Sequence, residues 1–286
     1  MRRRSLAILA PLLVALSATS AVAQRVPVTL LSAPPASVAP DVDDEALLSA
    51  IASTMVGALT LPLVTPLYAY FYDSEEAFAQ GLVRDAGANP ARVGDHVRFA
   101  TGVGQIRGIF LRRDLLRKAT LVGRAGLLAH ELTHVSQQAL ANGRAVPTEW
   151  WLDEGHADWV KYQVLAQLRL QPYARSRTVQ VREIRRAGPL GDLPPLTSLS
   201  TQRGWVEARD QPGGKGATYA QAFFAAEYLI ETKGPDPLLA YFRRARPARD
   251  RAAAFQDAFG VTLESFASQF ARRLPEIVER AAAMTK

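Results

Sequence analysis

The chain has 286 residues, of which 48% are hydrophobic, enough length and apolar content for one or two domains with a sizeable core. It has no cysteine, which excludes disulfides, thiolate metal sites and cysteine nucleophiles. The formal charge is +7, three units of which are Arg2, Arg3 and Arg4; with no recognisable nucleic-acid module, that excess does not point to nucleic acid as a partner.

Those arginines precede an apolar run from Leu6 to Leu16 and the small-residue sequence Ala21-Val22-Ala23, which ends before Gln24. A basic start, a short apolar stretch and a small-residue cleavage site read as a secretory signal peptide over residues 1–23, cut near Ala23. The apolar run is too short to cross a bilayer, and an uncleaved anchor is the alternative. An exported protein, periplasmic or secreted, is expected. Residues 24–41 contain Pro27, Pro34, Pro35 and Pro40 and read as a flexible tether or short pro-segment.

Ala46 to Phe71 carries no charged residue, but Pro62 and Pro66 interrupt it. A buried helix from about 43 to 58 and a strand from about 66 to 72 are expected rather than a membrane span. Asp73-Ser74-Glu75-Glu76 gives an acidic first turn to a helix that runs to about Asp85. Val97–Thr101 and Gly108–Arg112 read as short strands, with Gly102 and Gly104 marking the turn between them. His96, beside Asp95, reads as a surface histidine.

A helix is expected from about Leu121 to Ala141, and at its centre lies His130-Glu131-Leu132-Thr133-His134. Side chains four apart on a helix share a face, so His130 and His134 present two imidazoles to one point. Glu131 is rotated by about 100° from His130, which lets its carboxylate reach a metal-activated water without ligating the metal. A second helix is expected from Pro147 and Thr148 to about Leu170. It carries Trp150-Trp151-Leu152-Asp153-Glu154-Gly155-His156-Ala157-Asp158. Glu154 as a third, oxygen ligand completes a His₂Glu catalytic set with one place open. Asp158, one turn on, suits the outward N–H of a ligand histidine, fixing its tautomer and orientation. His156 lies about 200° round the helix from Glu154 and is expected to face away from the metal, in packing or in a second layer behind the ligands.

From Leu170 to Thr218 the periodicity fades. Pro189, Pro194, Pro195, Pro212, Gly213 and Gly214 point to a long loop with short helical pieces. Arginines from Arg169 to Arg186 and from Arg243 to Arg251 read as solvated faces, with attraction to an anionic surface as the alternative. An apolar helix follows from Ala217 to Thr232 with Tyr219 near its start, and further helices over about 236–244, 249–259 and 263–283 bundle at the C-terminal side.

His130–His134 followed by Glu154 and Asp158 in an E-x-x-x-D arrangement resembles the gluzincin metallopeptidases. The surrounding wording, Ala129-His-Glu-Leu-Thr-His-Val135 and Trp151-Leu-Asp-Glu-Gly-His-Ala-Asp158, is similar to the small secreted gluzincins called peptidase MA-like. The likeness spans roughly Thr65 to Leu274 and includes Tyr219-Ala-Gln-Ala-Phe-Phe and Phe255-Gln-Asp-Ala-Phe-Gly260. The metzincin pattern does not fit: it requires glycine and histidine three and six positions after His134, where this chain has Gln137 and Leu140.

The resemblance implies one Zn²⁺ per chain held by His130, His134 and Glu154, with Glu131 as general base in peptide hydrolysis. It implies an oxyanion role for the Tyr219 phenol, packing in the core being the alternative. It also implies that the strand before the metal helix, Gly108-Ile-Phe-Leu111, pairs with an extended substrate, against an ordinary hairpin with no ligand. The expected fold is α+β: a small mixed sheet packed on the metal-site helix and a mainly helical C-terminal lobe. The N-terminal lobe would cover about 42–145 and the helical lobe 146–286, within one catalytic unit acting on a peptide or protein as a monomer. Two other readings remain: a zinc amidohydrolase acting on a non-protein amide of the cell envelope, and an inactive relative that binds metal or a partner.

Overall fold

The computed structural model describes residues 23–94, 97, 100–143, 148–244 and 250–284. Except for Ala23, the expected signal peptide lies outside the described residues, as do His96 and part of the expected 97–101 strand. The fold is mixed α+β. Its strands are β1 (Gln24–Pro27), β2 (Tyr68–Tyr72), β3 (Gly102–Gln105) and β4 (Gly108–Arg112). Its helices are α1 (Asp44–Ala58), α2 (Glu75–Arg84), α3 (Arg113–Leu116), α4 (Leu121–Leu140), α5 (Trp150–Gln167), α6 (Tyr173–Arg186), α7 (Gln202–Arg209), α8 (Gly214–Lys233), α9 (Pro235–Arg244), α10 (Arg251–Phe259) and α11 (Leu263–Ala283).

The sheet order is β1-β2-β4-β3. β2 and β4 run parallel at its centre, and each is flanked by an antiparallel edge strand. Alternation sorts the side chains: Ala69, Phe71, Ile109 and Leu111 enter the main core, while Tyr70, Tyr72 and Phe110 face α2 with Phe78 and Leu82. A strand covered on both faces needs an unbroken apolar run, and β4 is buried at every position. Asp43 Oδ1 caps α1 by accepting from the Ala46 N–H at 2.8 Å, and Ser74 Oγ caps α2 by accepting from the Ala77 N–H at 3.1 Å. No helix among the described residues is long and apolar enough to cross a membrane.

Four expectations change. Gly108–Leu111 cannot pair with a substrate strand, because β2 and β4 pair on one side and β3 and β4 on the other; the sheet edge belongs to β3. The strand expected at 97–101 lies at Gly102–Gln105, and the turn falls at Ile106 and Arg107. Glycine signalled close approach here rather than a turn. A Cβ at Gly104 would stand 2.0 Å from the Glu131 carbonyl oxygen, and one at Gly102 2.9 Å from Glu131 Cγ. The third is the long loop, in which α6 is a helix of 14 residues and α7 one of 8. The inner stripe of α6 is Ser176, Arg177, Gln180, Val181 and Ile184, helical in period but too polar to register as an apolar face.

The expected tether also has structure. Residues 24–27 form β1, Val26 and Val28 are buried, and the Leu31 N–H donates to Ser53 Oγ at 2.8 Å. Prolines fit an edge strand and an extended strap, where few backbone donors are needed.

Candidate metal centre

α4 is held in rotation by Leu128, Leu132 and Val135, all fully buried, and is capped by Thr120 Oγ1, which accepts from the Gly123 N–H at 3.2 Å. That orientation sends His130 and His134 out on one side, with their Nε2 atoms 3.2 Å apart. α5 crosses beside it, anchored by the fully buried Trp151, which stacks on Phe266 at 5.7 Å. Gly155 lets α8 approach α5 closely, since a Cβ there would lie 2.2 Å from the Ala222 carbonyl oxygen. The crossing brings Glu154 Oε2 to 3.3 Å from His130 Nε2 and 4.0 Å from His134 Nε2.

The ring tautomers follow from one backbone carbonyl. Gln137 places an amide atom 2.8 Å from the Asp153 carbonyl oxygen; a carbonyl only accepts, so that atom is the nitrogen Nε2. Gln137 Oε1 is then the acceptor 2.8 Å from His134 Nδ1, which must carry a proton. Asp158 Oδ1, 2.9 Å from His130 Nδ1, does the same for the other ring. Both Nε2 atoms therefore turn lone pairs towards the same point. Glu154 Oε2, buried and without a hydrogen-bond partner, faces them.

This grouping calls for positive charge. A proton on one Nε2 serves one neighbour at a time, whereas a metal ion serves all three atoms, which lie within 4.8 Å of one another. The residues fit such an ion. The electrostatics agree in direction. Burial acts to lower the pKa of His130, but the Asp158 and Glu154 carboxylates outweigh it and raise it. Burial acts to raise Glu154, and the two histidines outweigh it and lower it. Burial likewise opposes the ionised form of Asp158, yet Lys161, with Nζ 3.1 Å from Oδ1, and His130 hold it at about 2.

Glu131 is buried beside the glycines of β3. Burial raises its pKa, partly countered by the two histidines and by the Gly104 backbone N–H. A carboxylate lifted towards neutrality is a better proton acceptor than one in water. The Tyr219 ring stands 6.2 Å from the His130 ring, packed edge-on against Trp205 at 5.0 Å. Burial, then Glu154, pushes its phenol well above 10, so it stays a donor.

The structure thus brings His130, His134 and Glu154 together, sets Asp158 against His130, and leaves Glu131 buried within electrostatic reach of all three ligands and the Tyr219 ring 6.2 Å from the His130 ring. The sequence reading did not single out Gln137 or Lys161 as partners. Their spacing was the available signal, since Gln137 is three residues after His134 and Lys161 three after Asp158. His156 is buried, and its Nδ1 lies 3.2 Å from Gln137 Nε2, a place one layer behind His134, which was one of its two expected positions; burial lowers its pKa to about 3.

No family model matches the chain, and no curated protein or solved structure matches it, so the centre rests on its own residues.

Proposed function

We propose that the protein is an exported, zinc-dependent metallopeptidase of the gluzincin kind, with a gluzincin-like arrangement of sheet, metal-site helix and helical lobe. The observation that carries this reading is the convergence of two imidazole lone pairs and a donorless buried carboxylate oxygen, with a second buried carboxylate, Glu131, next to them. Two nitrogens and one oxygen from protein, with a position left over, are a donor set suited to catalytic zinc. Zinc, when bound, supplies the Lewis acidity that brings a water towards ionisation at neutral pH and polarises a scissile carbonyl.

Every other part falls to the chain itself. Glu131 removes the proton from the attacking water and delivers it to the leaving amine. The Tyr219 hydroxyl donates to the oxyanion that develops on the former carbonyl. Asp158, neutralised in part by Lys161, holds His130 in its ligating tautomer. Export is supported by Arg2–Arg4, the Leu6–Leu16 run and Ala21-Val22-Ala23.

The deciding comparison is wild type against Glu131→Gln, assayed for bound zinc and for cleavage of peptides and of cell-wall fragments. Equal zinc and lost peptide cleavage are expected. Unchanged cleavage in the variant would reject the base, and turnover of wall fragments alone would move the substrate to a non-protein amide.

A further inference from the structure

We infer that Gln137 is a positioning residue of the metal centre: one amide, oriented by the Asp153 carbonyl and by His156, sets the tautomer of His134 and fixes the α4 ligand pair against the helix that supplies Glu154. The inference rests on the metal reading for its purpose, but not for its geometry.

The amide touches three groups. Its nitrogen donates to the Asp153 carbonyl at 2.8 Å and faces His156 Nδ1 at 3.2 Å, and its oxygen accepts from His134 Nδ1 at 2.8 Å. An amide nitrogen has two hydrogens, and both have an acceptor here only if His156 Nδ1 bears a lone pair. Turning the amide over would set its oxygen against the Asp153 carbonyl and leave two buried groups unsatisfied, at a cost of about 1–3 kcal/mol each. The other side of His156 is fixed by packing, since its ring lies 6.4 Å from Trp159 and 5.5 Å from Phe242. His156 and the Asp153 carbonyl therefore decide which way Gln137 points, and Gln137 decides which nitrogen of His134 is left to bind.

The bridge also has a mechanical side. Asp153 immediately precedes Glu154, so the amide joins the second ligand of α4 to the backbone next to the third ligand. His130 is oriented differently, through Asp158 and Lys161. The two ligand histidines thus have separate supports, one charged and one neutral, and loss of one need not disturb the other.

The test uses full-length protein with ¹⁵N-labelled histidine, stripped of metal, in which two-bond proton–nitrogen couplings report the ring tautomers. His134 is expected to carry its proton on Nδ1. Gln137→Leu should move His134 towards the Nε2–H form, leave the Nδ1 proton of His130 in place, and weaken Zn²⁺ binding by about 10- to 100-fold in competition with a chromophoric chelator. Gln137→Glu keeps an acceptor for His134 Nδ1 but loses the donor to the Asp153 carbonyl, so it should keep the tautomer and recover only part of the zinc affinity lost in Gln137→Leu. A wild-type His134 protonated at Nε2 overturns the inference without any variant. So does a folded Gln137→Leu protein with unchanged tautomer and zinc affinity. Because the tautomer is read without metal or substrate, a chain that cleaves no peptide yet shows Nδ1–H at His134 would sink the peptidase reading and leave this one standing.

Discussion

Glu154 Oε2, Glu131 and the Tyr219 phenol are three buried or half-buried groups within one small volume, and burial sends them different ways. Glu154 is kept ionised by its histidines, Glu131 is lifted by desolvation, and Tyr219 is held protonated. Separation of protonation states among neighbours is what acid–base work at one site needs. For Tyr219 the alternative is packing, because its ring rests on Trp205 and lies under the Arg209 guanidinium at 5.4 Å. Tyr219→Phe keeps that packing and removes the hydroxyl. If the phenol stabilises the oxyanion, kcat should fall by about 100- to 1000-fold, with KM and bound zinc little changed. A loss of less than about threefold assigns the ring to packing. At this scale the sequence was most informative where chemistry sets the spacing: a step of four from His130 to His134, and a step of four from Glu154 to Asp158. It was least informative for Gln137, because glutamine on a helix carries no mark of what its amide will meet.

Helices with a clear apolar stripe or a capping residue, such as α1, α4 and α11, were legible within a residue or two of their ends. The elements that escaped did so for physical reasons. β3 is Gly102-Val103-Gly104-Gln105, chosen for the room it leaves Glu131 rather than for strand propensity. α6 hides an inner face made of Arg177, which is buried against Glu227 at 3.1 Å, so its period was masked by charge. Acid–arginine pairs lie where the sheet meets its flanking helices: Asp73 reaches Arg113, while Asp85 and Asp114 hold their near neighbours Arg84 and Arg112, each at 2.7–2.8 Å. The Arg113 hydrogen bond lowers Asp73 and the Arg112 hydrogen bond lowers Asp114; at Asp85 burial pushes upward but Arg84 and Tyr72 win. A carboxyl whose pKa is lower folded than unfolded contributes stability above its unfolded value, about 3.9, and loses it as pH falls through the folded value. Metal-free protein should therefore show no contribution to pH dependence from these pairs between pH 7 and 5, and a falling Tm below about pH 4. Asp114→Asn should have a lower Tm than wild type at pH 6, and the difference should shrink as pH falls below about 4, measured by thermal melts. A constant difference across that range would exclude the linkage.

One apolar core runs from Val26 and Ile51 through Leu132 and Trp151 to Phe266 and Ala281, so it crosses the expected division between residues 145 and 146. Two ligands come from α4 on the sheet side and one from α5 on the helical side, each helix seated in that common core. An ion bound among them closes a contact between parts that already share their interior. A ligand that binds only the folded state adds RT ln(1 + [L]/Kd), about 4 kcal/mol at a thousandfold excess over Kd. For a domain of this size each kcal/mol moves Tm by roughly 2–4 °C. Zinc-loaded protein should therefore melt about 10 °C above chelator-treated protein, and because the core is shared, it should do so in one transition rather than two. His134→Ala should abolish most of the shift; it also strips the buried Gln137 Oε1 of its donor, so the metal-free Tm should fall by about a few degrees. Calorimetry with and without Zn²⁺ distinguishes the cases. Two separated transitions, only one of them zinc-sensitive, would mean that the helical part folds independently of the sheet and that the ion joins two units. A zinc-independent Tm would mean that the folded chain does not hold the ion at all.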